Sequence, residues 1–291
     1  MAERVSRFKV SESRTEKPML KQRAITAVIL LILFLWALFM LPVLWWDALV
    51  CVIVMQGSLE WVRLSKLSKM TAGVYCGLTL GMMLGIVWLD IQSPGQYELS
   101  HLLIYGIAAL LWLVVVPLWM KAHWQVRQPL LMILVGWALL IPTGLAMMDL
   151  RTQNPWWLLG VMGLVWVADT AAYFSGRKFG RHKLAPNISP GKTWEGVFGG
   201  LFGVTAYVLL IVLTNDFPND YQTLSGILIA SWGWVGLAVL GDLFESAIKR
   251  QAGVKDSGTL LPGHGGLLDR IDALTSTLPL AALVILIQRL V

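Results

Sequence analysis

Apolar residues fill most of this chain in long runs, and short polar segments separate one run from the next. Each run approaches the ~20 residues that an α-helix needs to cross the hydrocarbon core of a bilayer. Proline, glycine and charged residues mark the breaks between runs. The pattern predicts an all-α, polytopic membrane protein with about nine transmembrane helices, at residues 24–41, 43–60, 71–90, 101–120, 129–148, 155–175, 194–214, 224–247 and 272–290.

The basic residues predict how this arrangement lies across the membrane. If the N-terminus is cytoplasmic, 21 of the 23 Lys and Arg residues fall in inner segments, and only Arg151 and Arg289 fall outside. Short cytoplasmic loops of membrane proteins carry such an excess of positive charge. We therefore predict a cytoplasmic N-terminus.

Three parts follow from the same pattern. A basic tail covers 1–23, about five helices lie within 24–150, and about four more lie within 151–291, with cytoplasmic loops at 176–193 and 248–271.

Only 14% of the residues are charged, against about 25% in soluble globular domains. Because the first apolar run lacks a small-residue cleavage site, we interpret it as an uncleaved span rather than a signal peptide.

Cysteine and glycine add little to this picture. Cys51 and Cys76 lie inside apolar runs without a neighbour at metal-ligand spacing, and we interpret them as lipid-embedded thiols. Gly-x-x-x-Gly spacings, such as Gly196 and Gly200, favour close helix packing, with a homodimer face as the alternative.

Three polar clusters lie at the predicted inner face, and the first is at the end of the sixth span. Asp169 stands in an otherwise apolar helix, with Tyr173 and Arg177 one and two turns further along the same face. A carboxylate within a membrane span is a candidate for function because isolating it in hydrocarbon is costly. A purely structural pair with Arg177 or with another helix is the alternative.

The second cluster opens the seventh span and contains Ser189, Lys192 and Thr193. Gly-Lys-Thr is also the end of a nucleotide-binding P-loop, but the preceding glycine spacing and the preceding strand are absent, so we reject that site. Ser189 and Pro190 are expected to start the helix, where free N–H groups and Lys192 favour a phosphate. The alternative is a simple helix cap beside a lysine that reaches the interface.

The third cluster spans residues 241–272. One helical stripe carries the acids and bases of the eighth span, and a glycine-rich loop at 262–266 follows it. Asp269 and Asp272 then start the ninth span, one turn apart. Carboxylates suit Mg²⁺, which takes one or two of them together with phosphates and water. The stripe comprises Asp242, Glu245, Ser246, Lys249 and Arg250.

From Ser246 to Asp272 the chain reads SAIKRQAGVKDSGTLLPGHGGLLDRID. This stretch resembles the signature of the phosphatidate cytidylyltransferases, also called CDP-diacylglycerol synthases. The segments Ser189-Pro-x-Lys-Thr-Trp-Glu-Gly196 and Asp169-Thr-x-Ala-Tyr173 are similar to the same family, so the resemblance covers roughly 165–275.

The resemblance implies an enzyme that condenses CTP with phosphatidic acid to give CDP-diacylglycerol and pyrophosphate. It implies a requirement for Mg²⁺, a role in phospholipid biosynthesis, and a multi-pass place in the bacterial inner membrane with the site facing the cytoplasm. It assigns metal binding to Asp242 and Asp269. We expect no nucleic-acid partner.

Further roles are expected for other residues of the three clusters. Glu245, Asp272 and Asp169 are candidates for a second ion or for orienting ligands. The phosphates of the substrates are expected to be bound or neutralised by Lys192, Lys249, Arg250, Lys255, Arg270, Ser246 and His264, with further contacts from Tyr173, Arg177, Ser189, Thr193, Gly265 and Gly266. His264 is also a candidate to protonate the leaving group.

Two other classes of protein remain as alternatives. Another enzyme of lipid phosphates, such as a phospho-sugar transferase or a lipid kinase, would need the same Mg²⁺ and basic loops, and the identity of the phosphoryl donor distinguishes it. A transporter would spread its charged residues through the membrane and over both sides, whereas here they gather at the inner end.

Overall fold

The computed structural model describes residues 26–93, 98–214, 221–260 and 265–290. Eight helices of the described residues are long and apolar enough to cross a membrane, and a shorter apolar helix precedes them, so the predicted fold class is confirmed. The basic tail at 1–23 lies outside the described residues. The helices are α1 (Thr26–Met40), α2 (Val43–Leu64), α3 (Lys69–Gln92), α4 (Glu98–Ala122), α5 (Pro129–Gln153), α6 (Pro155–Phe179), α7 (Trp194–Thr214), α8 (Tyr221–Ala252) and α9 (Leu268–Leu290).

Local sequence accounts for several helix ends and irregularities. The Ser68 side chain accepts a hydrogen bond from Thr71 N at the start of α3, and Asn154 does the same for Trp156 N at the start of α6. Such caps satisfy backbone donors that have no partner within the helix. In α4 a π-helical turn at Leu111–Val115 precedes Pro117. Because proline lacks an N–H and crowds the preceding turn, a wider turn accommodates it there.

Helices α5 and α9 form the centre of the bundle. Each has most of its apolar window buried inside the protein, unlike the other long helices. Helix α9 packs against α2, α4, α5, α6 and α8. Since α9 begins with Leu268, its first turns carry Asp269 and Asp272 into the meeting point of several helices.

Helices α8 and α9 approach each other closely beside the acidic residues. A side chain at Gly241 would lie 2.7 Å from Asp272 O and 2.8 Å from Ser276 Oγ. Ser276 Oγ in turn donates a hydrogen bond to Leu237 O on α8, at 2.8 Å. Small residues permit this kind of close contact between membrane helices, and here the contact sets Asp242 next to α9.

A short antiparallel hairpin separates α6 from α7, which the all-α prediction did not include. Its strands are β1 (Lys183–Ala185) and β2 (Ser189–Thr193). The expectation that Ser189 and Pro190 start the seventh helix is therefore wrong. Helix α7 begins at Trp194, and Thr193 Oγ1 accepts the hydrogen bond of Gly196 N at 3.1 Å, which is the contact of an N-cap.

A polar cluster at the other end of the bundle joins α3, α4 and α5. His101 Nε2 lies 3.2 Å from Asp90 Oδ1, and its Nδ1 lies 2.9 Å from Asp149 Oδ2. Tyr105 donates a further hydrogen bond to Asp149, at 2.7 Å. These contacts join α3, α4 and α5 at the end of the bundle where Arg289 lies on α9. Arg289 is 20 residues beyond Asp269, or about 30 Å along the helix axis.

Candidate active site

Two lysine–carboxylate pairs organise the polar end of α8 and α9. The first joins Lys192 on β2 to Asp242 on α8, with 2.6 Å between Nζ and Oδ2. Ser246 Oγ donates to the other oxygen of Asp242, at 3.3 Å. Asp169 on α6 is exposed and lies close enough to Asp242 and Lys192 to interact electrostatically with both. All three sequence clusters therefore contribute a charged residue to one place.

The second pair lies deeper, between α8 and α9. Lys249 Nζ is 2.6 Å from Asp269 Oδ1 and 3.5 Å from Glu245 Oε1, and all three side chains are at most 10% exposed. Asp269 Oδ2 accepts hydrogen bonds from Ser257 N at 2.9 Å and from Gly266 N at 2.8 Å. One oxygen of Asp269 thus faces the ammonium group of Lys249, and the other accepts hydrogen bonds from the backbone N–H groups of Ser257 and Gly266.

Glu245 is a buried carboxyl group whose hydrogen bonding is incomplete. Its residue exposure is 7%, and neither carboxylate oxygen has a hydrogen-bond partner among the described residues. Asp272 is a close neighbour of Glu245. A buried polar oxygen without a partner is costly and calls for a ligand.

The balance of charges fits a divalent cation. Five carboxylates, those of Asp169, Asp242, Glu245, Asp269 and Asp272, gather around the ammonium groups of Lys192 and Lys249. Their oxygens do not converge into a closed set of three ligands in the described part of the chain. This arrangement suits Mg²⁺, which commonly takes one or two carboxylates and completes its octahedron with phosphates and water.

Other expected site residues lie around this centre with different contacts. Tyr173 and Arg177 are both exposed, and Arg177 Nη1 donates to Tyr173 OH at 3.2 Å rather than pairing with Asp169. Arg250 Nε reaches Ile188 O at the hairpin, at 3.3 Å. Lys255 and Arg270 are exposed at the same end. His264 lies outside the described residues.

The boundaries of the site also differ from the sequence prediction. Helix α8 continues to Ala252, beyond the predicted residue 247, and α9 begins at Leu268 rather than at residue 272. The predicted loop 248–271 therefore loses residues from both ends. Lys249 and Asp269 consequently both lie on helices, which fixes the direction of their side chains better than a loop would.

Glu60 is a residue near the site that sequence reasoning missed, as is Ser257, which donates to Asp269. Glu60 lies on α2, is fully buried, and accepts backbone hydrogen bonds from Leu267 and Leu268 at 2.8 and 2.9 Å. The available signal was the one used for Asp169, a carboxylate in an apolar helix. Glu60 is the last residue of the predicted second span, and no local pattern connects it to residues more than 200 positions later.

Gly266 has a steric reason to be glycine. A Cβ there would overlap both Ser257 Oγ and the Glu60 carboxylate, and Gly266 N already donates to Asp269. We expect Gly266→Ala to lower activity and thermal stability together, because the loop must shift away from Asp269. Gly191→Ala is the matched control, since a Cβ at Gly191 meets nothing within 4 Å. Equal melting temperatures and equal activities for the two variants would contradict this reading.

The sequence of the chain is similar to those of known cytidylyltransferases. The model of the cytidylyltransferase family matches residues 21–288 of the chain. A phosphatidate cytidylyltransferase of Haemophilus influenzae is 38% identical over 280 residues, covering 90% of this chain and 96% of the relative. The enzyme of the same name from Pseudomonas aeruginosa is 37% identical over 267 residues, covering 91% and 96%. One from Thermotoga maritima is 45% identical over 129 residues, covering 43% and 47%.

Proposed function

This chain belongs to the cytidylyltransferase family, and from that premise we propose that it transfers the cytidylyl group of CTP to phosphatidic acid. The products are CDP-diacylglycerol and pyrophosphate, within phospholipid biosynthesis. The observation that carries the proposal is the gathering of five carboxylates and two lysines from α6, β2, α8 and α9 at one end of an apolar bundle. An amphiphilic phosphate and a polyphosphate are substrates of matching chemistry.

The reaction requires positioning and charge neutralisation more than proton abstraction. An oxygen of the phosphatidate phosphate attacks the α-phosphorus of CTP, and the bond from that phosphorus to the oxygen bridging to the β-phosphate breaks. The phosphate monoester loses its second proton with a pKa near ~6, so the nucleophile is already substantially ionised near neutral pH. Catalysis of phosphoryl transfer then consists mostly of alignment and electrostatic stabilisation.

Asp242 and Asp269 are the residues we propose to hold Mg²⁺, with Glu245 and Asp272 as further ligands or as a site for a second ion. Bound Mg²⁺ supplies neutralisation of phosphate charge and polarisation of the phosphorus–oxygen bonds. Lys192 and Lys249 supply positive charge from within the site. Each lies 2.6 Å from one of the two aspartates, so each also restrains the carboxylate that it contacts.

The membrane position of the site follows from the substrates. The phosphatidate head group lies at the membrane interface while its acyl chains stay in the bilayer. CTP arrives in water. The excess of Lys and Arg in the inner segments supports a cytoplasmic location for this end of the bundle. The membrane proposed for the protein is the inner membrane of a bacterium. The exposed side chains of Arg250, Lys255 and Arg270 add positive charge there.

The test is synthesis of the lipid product from defined substrates. Purified protein in detergent, supplied with CTP, phosphatidate and Mg²⁺, is expected to form CDP-diacylglycerol, detected by mass spectrometry, and to stop when any one of the three is omitted. Inverted membrane vesicles should respond to added CTP, and right-side-out vesicles should not. Folded protein that forms no CDP-lipid would contradict the proposed reaction. Activity confined to right-side-out vesicles would contradict the orientation.

A further inference from the structure

The carboxylate of Glu60 accepts four hydrogen bonds, one from its own helix and three from Ser257, Leu267 and Leu268. Oε1 accepts from Leu267 N at 2.8 Å and from Gln56 Nε2 at 3.0 Å. Oε2 accepts from Leu268 N at 2.9 Å and from Ser257 Oγ at 2.8 Å. The side chain has no exposure at all, so these four protein donors replace the water that a carboxylate would otherwise bind.

None of these four donors carries a formal charge. Leu268 is the first residue of α9 and Leu267 precedes it. The N–H groups at the start of a helix have no partner within it. A carboxylate is favourable there because the N-terminus of a helix carries partial positive charge. Glu60 therefore acts as a cap for α9 that is supplied by a distant helix, α2. Such a buried carboxylate is tolerable only while its donors stay in place.

Ser257 connects this cap to Asp269. Its hydroxyl lies 2.8 Å from Glu60 Oε2 and 3.0 Å from Asp269 Oδ2. A serine has one hydroxyl proton, so the two carboxylates share it. Ser257 N donates to the same oxygen of Asp269, at 2.9 Å. Movement of Ser257 would therefore disturb both the cap and the orientation of Asp269.

Two glycines allow Glu60 to come this close. A Cβ at Gly258 would lie 2.9 Å from Glu60 Oε1, and one at Gly266 would overlap Glu60 Oε2. Gly266 N also donates to Asp269 Oδ2 at 2.8 Å. Among the described residues on either side of 261–264, Ser257 donates to both carboxylates, Gly266 donates to Asp269, and Leu267 donates to Glu60.

We propose that Glu60 is a positioning residue that holds the loop before α9, and through Ser257 and Gly266 the Asp269 carboxylate, in the orientation that binds the divalent cation. Both oxygens of Glu60 already accept hydrogen bonds from protein donors, so we assign Glu60 no direct contact with substrate or metal. The proposal rests on the proposed function for its effect on turnover. It also assigns a task to an N-terminal helix, since α2 lies outside the helices that carry the other charged residues of the site.

Glu60→Gln is the decisive variant because it preserves size and removes one acceptor. The introduced amide NH₂ would face N–H or O–H donors of the loop, whichever way it turns. We expect the Mg²⁺ concentration for half-maximal activity to rise by roughly 10–100-fold, as for other residues that orient metal ligands, while KM for CTP at saturating Mg²⁺ changes less. Glu60→Asp keeps the charge but is one methylene shorter, and should recover part of the loss.

Two readouts are independent of turnover. Binding of Mn²⁺, followed by its electron paramagnetic resonance signal, should weaken in Glu60→Gln by a factor similar to the shift in the Mg²⁺ requirement. Hydrogen exchange at the amides of Leu267 and Leu268 should accelerate, and exchange in α5 should not. Glu98→Gln is the matched control, since Glu98 pairs with Arg289 at the opposite end of the protein.

The Mn²⁺ titration and the exchange rates together distinguish a positioning role of Glu60 from a purely structural one. Weaker Mn²⁺ binding with faster exchange at the loop supports the proposal, even for variants of reduced stability. An unchanged Mn²⁺ titration in the folded fraction, whether or not thermal stability falls, would give Glu60 a purely structural role and overturn it. Failure of the wild-type protein to form CDP-diacylglycerol would instead remove the proposed function and leave the Mn²⁺ and exchange measurements valid.

Discussion

We expect Asp269→Asn to lower the rate of CDP-diacylglycerol formation by roughly 10²–10³-fold or more, the scale seen when one strong electrostatic contact to a transition state is removed. The variant removes the negative charge that Lys249 contacts at 2.6 Å. It also removes a carboxylate that is proposed to bind Mg²⁺. The measurement is the initial rate at saturating CTP, phosphatidate and Mg²⁺ in detergent.

The control for this variant is again a carboxylate-to-amide change far from the site. Glu98→Gln alters an ion pair of 3.5 Å with Arg289 and should keep the wild-type rate. Melting temperatures of both variants establish that the proteins are folded. If folded Asp269→Asn turned over at a rate near that of wild type, Asp269 could not be a required metal ligand.

Lys249→Met should give the second largest effect, on stability as well as on activity. Lys249 is 8% exposed and lies between Glu245 and Asp269. Removing one partner of a buried ion pair costs about 3–5 kcal/mol because the remaining charge is left uncompensated. Methionine fills similar space, so the loss reports on charge rather than on a cavity. Thermal unfolding in detergent gives the stability, and the CDP-lipid assay gives the rate.

The effect of Mg²⁺ on the melting temperature of Lys249→Met is a further test. If the carboxylates around Lys249 bind Mg²⁺, added Mg²⁺ should raise the melting temperature of the variant more than that of wild type, because a ligand that binds the folded state stabilises it. Lys121→Met, at an exposed residue of α4, should behave as wild type. Suppose that Lys249→Met melted at the wild-type temperature and that added Mg²⁺ did not change this temperature. That result would contradict the proposal that Lys249 compensates the charge of carboxylates that bind Mg²⁺.

Much of the fold could be predicted because membrane helices leave a strong local signal. Runs of apolar residues predicted about nine helices, and the described part of the chain contains eight long apolar helices and one shorter one. The family resemblance was based mainly on one continuous stretch, Ser246 to Asp272, and the matching family model agrees with it. The helix ends were less well predicted. Residues 248–252 and 268–271 continue helices into the region that was predicted as a loop. The charged residues within them lowered the local hydropathy, which measures membrane burial rather than backbone conformation.

The hairpin at 183–193 shows a different kind of error. Ser189 followed by proline is a common way to begin a helix, and that local preference was taken as the helix start. In the structure Thr193 performs the capping role, and the preceding residues pair with Lys183–Ala185 as a strand. A preference of a few residues cannot decide between these two arrangements, because the pairing partner lies outside the local pattern.

Long-range contacts were beyond the reach of sequence patterns. Glu60 contacts Leu267 and Leu268 across more than 200 residues, and periodicity does not state which helix packs against which. The sequence did predict that Asp169, Lys192 and Asp242 would share one end of the bundle, and they are neighbours in the structure. The roles assigned to these residues in catalysis remain predictions.

The fates of the α and γ phosphorus atoms of CTP test cytidylyl transfer, the central claim, most directly. Purified protein would be given phosphatidate, Mg²⁺ and CTP that carries radioactive phosphorus at either the α or the γ position. We predict that the α label appears in the lipid product and the γ label in pyrophosphate. Transfer of the γ label to lipid would identify a lipid kinase, and absence of both labels from lipid in folded protein would contradict cytidylyl transfer altogether.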